Sequence, residues 1–68
     1  MKISARNILK GEVVEIQEGA VNGIVSIKVG ENVVKADITM NAIEELGLEV
    51  GKPACAIIKS TAVMVGVE

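Results

Sequence analysis

The sequence has no phenylalanine, tyrosine or tryptophan, and no histidine. Domains that grip single-stranded nucleic acid stack bases on aromatic rings in a basic groove, so the missing aromatics argue against that class. Without histidine the chain lacks the commonest general base and the commonest metal ligand. Its one cysteine, Cys55, has no partner for an internal disulfide, and one thiol without imidazoles does not make a zinc site. Cys55 sits among alanines and isoleucines, where it reads as a small buried hydrophobe. It has no histidine beside it to activate it as a nucleophile. The formal net charge is −2, so no overall basic field draws in polyanions and any anion site must be local. No apolar run reaches the length of a membrane span. Met1-Lys2-Ile3-Ser4 leads straight into polar residues, without the sustained apolar core of a signal peptide. These absences lead us to expect a cytoplasmic protein that is not an enzyme, binds no nucleic acid and no membrane, and coordinates no metal directly. The one carboxylate pair, Glu44-Glu45, reads as the solvated face of a helix.

Half of the 68 residues are hydrophobic, mostly valine, isoleucine and alanine. A chain of this length forms one domain, here residues 1–68, and sits where a single core is only marginally stable. Small domains gain stability from disulfides, metals or partner subunits. The first two are missing, so the expectation is a homo-oligomer.

Residues 8–17 read as a strand, with Leu9 and Val13 on one face and Ile8, Val14 and Ile16 on the other. Residues 21–29 alternate, with Val21, Val25, Ile27 and Val29 pointing one way. Gly30-Glu31 fits a two-residue type II′ hairpin turn. Residues 32–38 return, burying Val34, Ala36 and Ile38. From Thr39 the period becomes helical through Ala42, Ile43 and Leu46, with Asn41 or Thr39 as the cap and Gly47 as the stop. After a turn at Gly51-Lys52-Pro53, residues 54–60 and 62–67 read as fourth and fifth strands. Three strands, a short helix and two strands give a mainly β fold: an OB-like five-stranded barrel with its helix between strands 3 and 4.

Three stretches concentrate the hydrogen-bond donors. Ser4-Ala5-Arg6-Asn7 contains the only arginine, a planar charged fork between two neutral donors. Thr39-Met40-Asn41-Ala42 opens the helix, where free N–H groups and the positive dipole end accept oxyanions. Lys59-Ser60-Thr61 ends the fourth strand and supplies a second cation. Each stretch has a plainer reading: a solvated terminus, a helix cap, an exposed strand end. Together they point to a small oxyanion.

These residues, in this order, resemble a molbindin, the Mop type of small bacterial molybdate- and tungstate-binding protein. The resemblance runs from Ile3 to Val67. It is carried by Ser-Ala-Arg-Asn, Gly-x-Val, Ile-Thr before a short helix ending Glu-Leu-Gly-Leu, and a strand ending Lys-Ser-Thr. It implies an OB-like subunit in a homohexamer (a trimer of dimers) with oxyanion sites at subunit interfaces, serving intracellular molybdenum storage or homeostasis. The family pattern places Ser4, Arg6, Thr39, Lys59 and Ser60 on the ligand, with Ala5 and Asn7 completing the first stretch. Ala42 departs from the pattern of the related molybdate-responsive transcription regulators, which has serine there, so one hydroxyl is missing. The resemblance implies molybdate or tungstate as ligand and no cofactor. An older link of the family to molybdopterin sits poorly with a chain that has no aromatic to stack on a pterin. The alternatives are a ligand-free oligomerisation module and, further off, a nucleic-acid-binding barrel.

Overall fold

The computed structural model describes residues 1–68. Its elements are β1 (Asn7–Gln17), β2 (Asn22–Val29), β3 (Asn32–Thr39), α1 (Met40–Glu45), β4 (Pro53–Ile58) and a 3-10 turn over Ser60–Ala62. The strands form one antiparallel sheet in the order β3-β2-β1-β4. The hairpin between β2 and β3 is closed by Gly30 at φ 61°, while Glu31 keeps a negative φ. A positive φ at the first central residue alone is the type II′ pattern read from the sequence.

The long first strand curls the sheet. Its first half, Asn7 to Glu12, pairs with β4, and its second half, Glu12 to Gln17, pairs with β2. The register slips between Val13 and Glu15, so Val14 is an extra residue in the strand. The slip corrects the face assignment made from simple alternation. Val14 is exposed, and Ile16 packs on the same core as Val13. At the changeover, the Val13 N–H donates to the Lys52 carbonyl at 2.9 Å, and the Gly51 N–H donates to the Val13 carbonyl at 2.8 Å. Pro53 occupies the first position of β4, where a missing N–H is tolerated. Gly11 lies at the bend because a Cβ there would overlap the Lys28 carbonyl.

The helix starts where the sequence indicated. Its cap is Thr39 rather than Asn41. At the other end the Gly47 N–H donates to Glu44 O at 3.0 Å and the Leu48 N–H to Ile43 O at 3.1 Å, with Gly47 at φ 62°. This double bond with a left-handed glycine is a Schellman stop. The helix lies against β2 at Gly23, where a Cβ would come within 2.8 Å of both Ile43 Cδ1 and Met40 Sδ.

The core is small: Val13, Val25, Ile27, Ile43 and Ala56, with Ile16, Ile38, Leu48 and others packed around it. Seven of the 68 residues are buried, so much of the aliphatic content stays in contact with water. The structure holds four strands, not five. Residues 62–67, expected as the fifth, contribute only the end of the 3-10 turn and a segment without regular structure, with Met64, Val65 and Val67 more than 90% exposed. A strand is stabilised by the neighbours that cover it more than by its own residues, and no sheet edge in the chain pairs with this segment. The curled sheet is therefore a half-barrel. An apolar slot of about 290 Å³ runs between its two ends, lined by Val34, Ala36 and Ile38 from β3 and Ala54, Ala56 and Ile58 from β4. Cys55, half-buried, also borders the slot rather than the core. No helix is long and apolar enough to cross a membrane.

Candidate functional site

Antiparallel pairing of Asn7 with Ile58 brings the two ends of the sequence together. The Asn7 amide Nδ2 donates to the Ile58 carbonyl at 3.2 Å, a bond spanning 51 positions. This bond sets the arm before β1 beside the turn after β4. Between them lies an open cavity of about 260 Å³ lined by Ser4, Ala5, Arg6, Lys59, Ser60 and Thr61. Five of the eight residues singled out in the sequence therefore meet in one place. Asn7 stands next to the cavity as its fastener.

The cavity holds both an arginine and a lysine, and no carboxylate lines it. The chain's one ion pair, Lys52 with Glu49, is elsewhere. There the Lys52 ammonium holds the Glu49 carboxyl below its usual range, by hydrogen bonding first and by charge attraction second. Arg6 and Lys59 are thus two cations without an internal counter-ion, flanked by three hydroxyls. Ammonium and guanidinium groups are donors only, and hydroxyls both donate and accept. Such a set is suited to a compact anion rich in acceptor oxygens.

Thr39 and Ala42 are not part of this cavity. Thr39 pairs with Asn22, beyond the Gln17–Ile24 pair at the far end of β1, whereas Lys59 follows Ile58 at the near end. Strand register places the two groups at opposite ends of the same strand. The helix start is also already committed to structure. The Ala42 N–H donates to Thr39 Oγ1 at 3.0 Å, and the Met40 N–H donates to the Val21 carbonyl at 2.8 Å. Two of the helix-start amides expected from the sequence to be free are thus taken, one by the Thr39 cap and one by the Val21 carbonyl. Thr39 keeps its hydroxyl proton, since the oxygen only accepts in the cap.

One lining residue, Thr61, was missing from the set taken from the family pattern. The signal was present, as it directly follows Lys59-Ser60.

Residues 3–65 match the TOBE domain family. A relative in Haemophilus influenzae, a probable molybdenum-pterin-binding protein, is 61% identical over 69 residues and covers both chains in full.

The chain belongs to the Mop-type TOBE-domain family.

Solved structures agree with the fold of this Mop-type domain. It superposes on a molybdate-binding protein from Sporomusa ovata with a TM-score of 0.93 at 33% identity, covering 98% of this chain and 100% of that one. It superposes on the cytoplasmic molybdate-binding protein ModG, in a form with molybdate bound, with a TM-score of 0.95 at 42% identity. That match covers 100% of this chain and 49% of ModG. The Mop-type domain is thus a curled OB-like sheet with one short helix, as the order of elements indicated.

Proposed function

We propose that this domain binds molybdate, and tungstate alongside it, at interfaces between copies of itself, and that it holds molybdenum as the free oxyanion in the cytoplasm rather than catalysing a reaction. One observation carries the reading: Arg6 and Lys59 line a single cavity with Ser4, Ser60 and Thr61 and have no internal carboxylate to neutralise them. Molybdate at neutral pH is a tetrahedral dianion with no proton to give away, and this cavity offers it charged and neutral donors on several sides. The two solved relatives named as molybdate-binding proteins support the same ligand, whereas the Haemophilus influenzae relative is named for molybdenum with a pterin. A pterin would need a flat apolar wall. Only Ala5 among the six lining residues is hydrophobic, and the chain has no aromatic ring, so the bare oxyanion fits better.

The interface part of the reading is supported by two features. Thr39 and Ala42 sit at the opposite end of β1 from the cavity, so they reach the same anion only from a second copy. The apolar slot between β3 and β4, together with the uncovered tail at Val63, Met64 and Val65, gives copies of the chain reason to associate. A homohexamer, as a trimer of dimers, is the assembly we propose. Native mass spectrometry with and without molybdate tests both parts together. The expected result is a hexamer that gains mass in molybdate steps. An assembled protein that gains no mass would favour a purely structural oligomerisation module.

A further inference from the structure

The chain has two threonines, and the structure uses them differently. Thr39 spends its oxygen on the helix cap, accepting the Ala42 N–H. Thr61 makes no side-chain hydrogen bond to the protein, although it lies on a tight turn where a threonine commonly bonds its own backbone. The turn is held by main-chain bonds instead: the Ala62 N–H donates to Lys59 O at 2.9 Å and the Val63 N–H to Ser60 O at 3.3 Å. Thr61 nevertheless lines the cavity with Ser4, Arg6, Lys59 and Ser60.

We infer that Thr61 is a further ligand-contacting residue, its hydroxyl donating to an oxygen of the bound tetrahedral oxyanion. The inference rests on the oxyanion reading of this cavity. A β-branched side chain is stiff about its first torsion, so once the turn is set the hydroxyl needs little further ordering to meet the anion. A threonine that only shaped the turn would be expected to bond the turn, and this one does not.

Calorimetric titration with sodium molybdate tests the assignment on three variants: Thr61→Val, Thr61→Ser and Arg6→Ala. Valine keeps the shape and removes the hydroxyl. The expected loss for Thr61→Val is about tenfold in affinity, the scale of one hydrogen bond to a charged group, with an unchanged far-UV circular dichroism spectrum. Thr61→Ser, which keeps the hydroxyl, should stay close to the parent. If Thr61→Val binds like the parent while Arg6→Ala is weakened, the cavity is the site and Thr61 does not touch the ligand. Equal losses in the valine and serine variants would also overturn the assignment, because the hydroxyl would then not be the operative group. A parent protein that takes up no molybdate overturns the oxyanion reading itself, and the Thr61 assignment with it.

Discussion

Thr39 Oγ1 accepts the main-chain N–H of Ala42 at 3.0 Å, so Ala42, which has no hydroxyl of its own, has already given its amide hydrogen to the helix cap. The Met40 and Ala42 amides are therefore not open to a ligand at this end of α1. Thr39→Ala removes both the cap and the hydroxyl proton. Its expected cost to folding is about 1 kcal/mol, the usual value of an N-cap, read from chemical denaturation. Ala42→Ser adds a donor next to Thr39 and should tighten molybdate by about 0.5–1.5 kcal/mol, one net hydrogen bond. A weaker Ala42→Ser variant in calorimetry would show that the helix start faces away from the anion.

Arg6 and Lys59 both line the cavity, and both are exposed and outside the core. Replacing either with alanine should weaken molybdate binding by roughly 1.5–3 kcal/mol, the range for hydrogen bonds to charged groups. Thermal unfolding of the ligand-free variants should stay near that of the parent. Unchanged affinity in both variants would move the site elsewhere.

Gly11 and Gly23 provide a contrast in packing. A Cβ at Gly23 would press on the ends of the Met40 and Ile43 side chains, at 2.8 Å each, and lie 3.1 Å from Gln17 O. Overpacking of this kind costs about 1–3 kcal/mol. A Cβ at Gly11 would overlap the Lys28 main chain, which has less freedom to move aside. Gly11→Ala should therefore destabilise more than Gly23→Ala in urea titrations. The reverse order would mean that the bend in β1 is softer than its register implies.

Residues 63–68 add nothing to the core of one chain. Deleting them should leave the far-UV spectrum of the sheet intact and reduce the size of the assembly in sedimentation. A parent protein that sediments as a monodisperse monomer at micromolar concentration would rule out assembly through the tail and slot alike.

The donor-rich cavity also predicts an order among anions. Hydrogen phosphate carries a proton that needs an acceptor, and leaving it unsatisfied costs on the order of 1–3 kcal/mol. Sulfate has no proton but shorter bonds, so a pocket sized for molybdate leaves its hydrogen bonds long. Tungstate matches molybdate in charge and size. Competition calorimetry at neutral pH should rank molybdate with tungstate first, then sulfate, then phosphate. If phosphate competes as well as tungstate, the cavity does not act as a set of donors alone and this account of its selectivity is wrong.

Local chemistry in the sequence was enough to determine the hairpin at Gly30-Glu31, the helix stop at Gly47, the shared strand face of Val34, Ala36 and Ile38 (half-buried along the slot), and the three donor-rich stretches. These follow from φ preferences, caps and alternation, all of which act over a few residues. Tertiary structure decided the rest. The bulge at Val14 puts Ile16 on the core face, because β1 changes partners there and the ladder must be reset. Residues 62–67 have a strand's composition but no strand, since a strand needs a partner and neither free edge of the sheet, at β3 or at β4, pairs with them. The separation of Thr39 and Ala42 from the cavity at Arg6 and Lys59 was equally invisible in one dimension. It depends on which end of β1 each neighbouring strand meets, and that register is set by pairing across the sheet, not by any local run of residues.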